Sequence, residues 1–393
     1  MAGRDSVLIA GGGIGGLAAA LALAQKKIAS TVLEKAAQLG EIGAGIQLGP
    51  NAFHCFDRLG VGEPARQMAV YIDQLRLMDA MADGEIMHVD LGRDFRARYR
   101  NPYAVVHRGD LHGVLLKACR EHPLIALEVS SEVLDYEQDA ATVTVRLGNG
   151  ASATGRALIG ADGLWSNVRR QAVGDGEPRV SGHTTYRSVI PTERMPEDLR
   201  WNAATLWAGP KCHIVHYPLS GWKVFNLVVT YHNDAPEPVA GQPVVTEQVR
   251  RGFTHICERA QNIIRHGQDW RMWVLCDREP VDRWVDGRVA LLGDAAHPML
   301  QYMAQGACMA MEDAVCLADA LASHDRLEAG LENYRSRRVL RTARVQLMSR
   351  AMGDHVYHPS GPHAALRNAI MSAKSQAEWY AALDWLYGGS GLD

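Results

Sequence analysis

Two hydrophobic rhythms alternate along the chain. Short apolar runs, Val7-Leu8-Ile9-Ala10, Ser30-Thr31-Val32-Leu33, Ala157-Leu158-Ile159 and Val289-Ala290-Leu291-Leu292, have the length and β-branched content of strands buried on both faces. The first leads through a glycine turn into a helix-forming run, Leu17 to Ala24. Period-two stretches appear elsewhere. Leu75–Asp79 and Glu85–Val89, around the turn Ala82-Asp83-Gly84, predict a hairpin. Leu124–Glu128, Val133–Gln138 and Thr142–Leu147 predict a small antiparallel meander. Thr184–Pro191, Cys212–Pro218, Gly221–His232 and Trp270–Cys276 predict an inserted sheet, interrupted by one helical stretch, Glu247–His266. Helical periodicity returns over Gly306–Ser323 and again over 325–352, where Leu327, Leu331 and Tyr334 share a face, as do Leu340, Ala343 and Leu347. The tail from His355 ends in Trp379-Tyr380 and Trp385-Leu386-Tyr387, which predicts a packed helix.

The fold class is therefore α/β with an α+β insert. A Rossmann-like unit is assembled from residues 1–73, 99–180 and 279–324; a mostly β unit from 74–98 and 181–278 is inserted into it, and a C-terminal helical region covers 325–393. A length of 393 residues agrees, since one ordinary core rarely extends so far. The 41 basic and 44 acidic side chains nearly cancel, which excludes nucleic acid as an expected partner. Seven cysteines, at 55, 119, 212, 257, 276, 308 and 316, are scattered without a CxxC pair, so free thiols and a cytoplasmic setting are expected. The uncharged run Val7–Ala24 follows Arg4 and Asp5 and contains a glycine turn, which argues against a transmembrane segment or export signal. Arg335, Arg337, Arg338, Arg341, Arg344 and Arg350 read as a solvated helix face, or as a basic patch for anionic lipid or a partner subunit.

The chemistry begins at Gly11-Gly12-Gly13-Ile14-Gly15-Gly16. A GxGxxG turn between strand and helix lets a pyrophosphate lie against the helix N-terminus, and Glu34, about twenty residues on, is the acid expected for ribose hydroxyls. The stretch Gly40–Asn51 is too glycine-rich for regular structure. Its backbone can approach a flat ring closely, and Pro50-Asn51 opens a short helix. Arg108 precedes a helix predicted over Asp110–Arg120, with Asp110 as its cap. Two further junctions each set an acid beside glycine: Gly160-Ala161-Asp162-Gly163 and Gly293-Asp294-Ala295-Ala296-His297-Pro298.

Taken in order, these three motifs resemble the single-component flavin aromatic hydroxylases, the group that includes p-hydroxybenzoate and salicylate hydroxylases, over nearly the whole chain. The resemblance implies FAD. Gly11, Gly13, Ile14, Gly15, Gly16, Glu34 and Lys35 would hold its ADP half, Asp162 would lie near the pyrophosphate and the nicotinamide path, and Asp294 would bond the ribityl chain. Gln47 and Arg108 would contact the flavin, and the helix from Gly306 would aim its positive end at the pyrimidine edge. NADH as transient hydride donor, dioxygen, a small aromatic acid and a homodimer are implied too. His213, Tyr217, Pro298-Met299-Leu300-Gln301-Tyr302 and the ending Asp384–Gly389 look like the branch that hydroxylates 3-hydroxybenzoate para to its phenol, giving gentisate. Salicylate hydroxylation to catechol, a pyridine or aminobenzoate acid, and a flavin redox sensor without turnover stay open.

Hydroxylation of a ring goes faster on a phenolate. A phenol of pKa about 10 costs about 4 kcal/mol to ionise at neutral pH, which a histidine titrating near neutrality can offset as base. His213 is the candidate, with Gln301 orienting the hydroxyl and Tyr217 donating to hydroxyl or carboxylate. Strand alternation puts His213, Val215 and Tyr217 on one face and His216 on the other, so the two histidines are a poor metal site and no metal is expected. The substrate carboxylate has no obvious arginine. Arg187 is one candidate, unless it ties the insert to the first unit, and Tyr217, Tyr302 or backbone donors are others.

Overall fold

The apolar runs pair as one parallel sheet. In a computed structural model, which describes residues 5–40, 44–389 and 392, Val7–Ala10 lies between Ser30–Leu33 and Ala157–Gly160. Ile125–Glu128 extends the sheet on one side and Val289–Leu291 on the other. Arg4 and the stretch Glu41-Ile42-Gly43 lie outside the described residues. Helix Ile14–Gln25 packs on this sheet and against helices Arg108–Glu121 and Gly306–Ala322, burying all four residues of the central strand.

Ile125–Glu128 therefore does not belong to the meander. The helix just before it supplies the crossover that a parallel strand needs, and Ser152–Gly155 completes the meander with Val133–Gln138 and Val143–Leu147. Nor is the glycine-rich stretch wholly irregular. Gly45–Leu48 is a strand paired with Ala104–His107, whose other edge takes Val70–Tyr71, and helix Pro50–Arg58 follows.

The second sheet has eight strands, in the order Gln242–Pro243, Arg271–Asp277, Arg179–Pro191, Val224–His232, Cys212–Leu219, Ala203–Gly209, Gln74–Asp79 and Gly84–Asp90. The early hairpin joins it by a parallel pairing of Gln74–Asp79 with Ala203–Ala208. The single helix expected over 247–266 is two, Thr246–Arg250 and Glu258–His266. The intervening chain is drawn onto the sheet, with the Cys257 amide donating to Ala80 O at 2.7 Å and Gly252 against the Tyr231 ring. All seven cysteines are free thiols.

Helix Leu327–Met352 closes over the helix Gly306–Ala322 with an inverted polarity. Its arginines are not all a solvated face: Arg344 is exposed, but Arg338 is fully buried, while Arg341 and Arg350 bind Glu312 and Asp277. These pairs fix the rotation of the helix, so Leu340 and Leu347 face solvent instead of the core. The tail packs through helix Gln376–Tyr387, where Tyr380 and Tyr387 meet Phe95 edge-on.

Candidate active site

One cavity of about 700 Å³ runs from the glycine turn to the face of the large sheet. At its first end lie Gly11, Gly13, Ile14, Gly15, Glu34 and Lys35. Gly11 has φ +102°, and a Cβ there would collide with the Ala161 carbonyl, so only glycine fits. Glu34 accepts from the Gly12 amide at 2.6 Å and the Ala36 amide at 2.8 Å, leaving lone pairs for two hydroxyls. Gly16 is not on the cavity wall. It is buried where the helix crosses the turn, and a Cβ would strike Gly11 O, so its role is close packing.

Midway, Gln47, Arg108, Asp162 and Asp294 line the cavity. Gln47 accepts from the Tyr103 hydroxyl at 2.7 Å. Asp162 is held by the Ser166 hydroxyl at 2.5 Å and the Val168 amide at 3.2 Å, which rigidifies the turn into helix Asn167–Ala172; burial still raises its pKa. Arg108 begins its helix, capped by His107 Nδ1 accepting from the Gly109 amide at 3.2 Å; Asp110 is already inside the first turn. Helices Ile14–Gln25 and Gly306–Ala322 both start at the wall with no side-chain cap, so their free N–H groups and positive dipole ends face the space a dianionic cofactor needs.

At the far end, sheet alternation decides which side chains point inward. Register sets Arg187, Val228, Val215 and Leu206 in one row and Thr185, Thr230 and His213 in the next. Tyr217 shares the face, its ring against Gly45, where a Cβ would lie 2.6 Å away. His216 points oppositely and accepts from Trp207 Nε1 at 3.2 Å. His213 is buried, and its Nδ1 lies 2.8 Å from His358 Nε2. Burial, then His358 and His183, holds its pKa well below the ordinary histidine value, so it is not a group titrating near neutrality but an imidazole kept neutral. Burial raises the pKa of Tyr217, which stays a donor.

Gln301 also has partners of its own within the protein. Its Oε1 accepts from Arg187 Nη2 at 2.9 Å, and its Nε2 donates to Thr185 Oγ1 and Thr230 Oγ1 at 3.1 and 3.2 Å. The amide is a brace between the turn Gln301–Met303 and the sheet, because both threonines face it. Arg187 is a cation on the cavity wall to which, among the described residues, no carboxylate is paired; burial lowers its pKa. Arg187 is a candidate from the sequence, but nothing local separates it from an interface arginine; His358 escapes the sequence altogether, since it reaches His213 from 145 residues away, after the single helical turn Gly353–Tyr357.

This fold and cavity define a class, the FAD-dependent aromatic monooxygenases. The FAD binding domain family matches residues 4–349, and the chain belongs to it. The chain is 55% identical over 385 residues, 98% of each chain, to 3-hydroxybenzoate 6-hydroxylase 1 of Aquipseudomonas alcaligenes. With 3-hydroxybenzoate 6-hydroxylase of Polaromonas naphthalenivorans (strain CJ2) identity is 49%, over 97% of this chain and 95% of the relative. Among solved structures it resembles Klebsiella pneumoniae HpxO complexed with FAD and uric acid, with TM-score 0.87 and 26% identity over 99% of this chain and 98% of that one. FAD is thus the cofactor, and the glycine turn, Glu34 and the two open helix ends fit it. Among the described residues no helix is long and apolar enough to cross a membrane.

The Glu34 contact gives a first prediction. Substituting alanine removes charge-assisted bonds worth about 1.5–3 kcal/mol, so FAD should bind roughly 10- to 100-fold more weakly. Fluorescence titration of the apoprotein measures this, and an unchanged Kd would take Glu34 out of the cofactor site.

Proposed function

We propose that the protein hydroxylates 3-hydroxybenzoate para to its phenol, giving gentisate, with NADH as reductant and dioxygen as oxygen source. The observation that carries this reading is the far end of the cavity. Arg187, a cation with no carboxylate partner among the described residues, and a neutral imidazole, His213, share one sheet face, which suits a ring bearing a carboxylate and a phenol. The relatives named for 3-hydroxybenzoate, similar along their whole length, support the same substrate and position.

FAD supplies electrons from the nicotinamide and an electrophilic oxygen from dioxygen. The protein's part is to bind, dry and ionise the ring. Arg187, held by Gln301, balances the carboxylate, which cannot enter a buried site without a counter-charge. Tyr217 donates its O–H, and His213 takes the phenolic proton on Nε2, its nitrogen not engaged with His358. Leu206, Val215, Val228 and Met299 add apolar wall beside these groups and help to exclude water.

The reading is tested by supplying NADH with 3-hydroxybenzoate or salicylate and separating products by chromatography. Gentisate from the first is expected; catechol from salicylate without gentisate would overturn the assignment. Arg187→Met is expected to raise KM for the acid roughly 10- to 100-fold with FAD content unchanged, the loss of one charge-assisted anion contact. A KM within twofold of wild type would place the carboxylate elsewhere.

A further inference from the structure

A proton placed on His213 has no anion to stay for. Its only hydrogen-bond partner among the described residues is His358, and its other ring neighbours are Tyr302 and Tyr357, with centroids 5.5 and 4.8 Å away. Burial and two adjacent imidazoles oppose an imidazolium at that position. Further histidines lead outward. His358 and His183 have ring centroids 5.1 Å apart, His183 and His232 4.3 Å apart, and His232 Nε2 lies 3.2 Å from Asp234 Oδ1, whose side chain is 76% exposed. The inner end of the series, His213, is fully buried, and the outer end, His232, is half-buried.

Sheet register explains the line-up. His213 sits opposite Thr230, two residues before His232, which pairs directly with His183. The two rows are adjacent on one face, and His358 drops onto them from the turn after Leu327–Met352, its carbonyl accepting from the Lys211 amide at 3.2 Å. The other polar groups about the series are few. The Tyr302 hydroxyl bonds His183 Nδ1, Arg179 and Asp277 act on His183 from the sheet edge, Asp354 acts on Tyr302, and Lys211 lies 4.0 Å from Asp234. A metal reading of the cluster fails, since among the described residues no group of three or more His, Cys, Asp or Glu side chains could hold an ion.

We propose that His358, His183 and His232 form a proton conduit that carries the phenolic proton of the substrate from His213 to Asp234 and bulk water. The inference rests on the phenol-ionising role given to His213 above. The phenol O–H bond breaks as its proton joins His213 Nε2, and the Nδ1 proton of His213 passes to His358 Nε2. His358 releases a proton toward His183 and His232 in turn, and His232 gives it up at Asp234. A phenolate remains in the cavity and one proton reaches water, with no change of oxidation state. Burial keeps His183 and His358 neutral at rest, with pKa values pushed down to about 4 and about 3, so each can receive a proton and neither retains it.

The test separates conduction from positioning. FAD-loaded enzyme is mixed with 3-hydroxybenzoate without NADH at neutral pH in a stopped-flow cell, following the phenolate absorbance and, with an indicator dye, the released proton. Wild type is expected to show both together. H358F should slow both roughly 10²-fold, with recovery on adding imidazole. H358Q keeps a hydrogen bond to His213 but cannot pass a proton, so it should be as slow; a wild-type rate in H358Q would overturn the conduit. H232Q, near the surface and remote from the ring, should slow release at least tenfold even if H358F fails to fold. A wild-type enzyme that releases no proton on binding overturns the base reading and the conduit with it. Release that is unchanged in H358Q and H232Q overturns the conduit alone.

Discussion

Replacing Arg338 by alanine is expected to destabilise the protein by about 3–5 kcal/mol, the cost of stranding buried charge. The guanidinium is fully buried, with Nε 2.6 Å from Asp313 Oδ1 and Nη1 2.7 Å from Glu312 Oε2. Both acids are fully buried on the helix Gly306–Ala322, whose N-terminus opens on the cofactor cavity. Glu312 keeps Arg341 and Asn51, and Asp313 keeps His297 Nε2 at 2.5 Å and the Gly293 amide at 3.1 Å. Those partners cannot neutralise two adjacent carboxylates, so the variant should also bind FAD more weakly as the Gly293–His297 turn loosens. Burial would raise the pKa of Asp313, but His297 and Arg338 outweigh it and hold the carboxyl at about 2. A depressed carboxylate stabilises the fold above its unfolded pKa of about 3.9, a contribution of roughly 2–3 kcal/mol that is lost as pH falls through 2. Wild type should therefore hold its melting temperature down to about pH 5, while R338A should melt lower at neutral pH. Thermal melts across pH measure both, and equal melting temperatures at neutral pH would show the acids finding other partners.

What was legible in the sequence was local. The central strands are continuous apolar runs, and the Gly11 turn needs a positive φ, so each carries its own signal. Partner choice is not local. Nothing within Ile125–Glu128 says whether it pairs with Ser30–Leu33 or with the meander, and Gly45–Leu48 became a strand because Ala104–His107 offered an edge. Helical periodicity also misread the C-terminal helix. Leu340 and Arg338 differ in hydropathy in the direction opposite to their burial, because two carboxylates on a neighbouring helix made burial of the arginine favourable. At the site, strand alternation correctly brings His213 and Tyr217 to one face, since it depends only on spacing. The occupation of Gln301 by Arg187 and two threonines, and the arrival of His358, depend on contacts across 71 to 145 residues, which no window of sequence contains.

His213→Ala is expected to lower kcat by roughly 10²- to 10⁴-fold while leaving FAD bound, the range for loss of a positioned base. The side chain lies on the sheet face remote from the glycine turn, so cofactor affinity should not follow activity. Its pKa is depressed, which sets the sign of the pH dependence. The imidazole is neutral and able to accept a proton throughout the neutral range, and loses that ability only in acid well below pH 6.5, where it becomes protonated. Wild-type kcat should thus be flat from neutral to mildly alkaline pH. Without the imidazole, the phenol must ionise unaided, so the rate of the variant should climb about tenfold per pH unit toward the phenol pKa of about 10. Arg187, still present, holds the carboxylate in place, and the deficit should therefore narrow at high pH instead of persisting. A histidine that only fills space predicts the opposite: a constant deficit at every pH. Equal turnover of variant and wild type at neutral pH would remove His213 from the base role altogether.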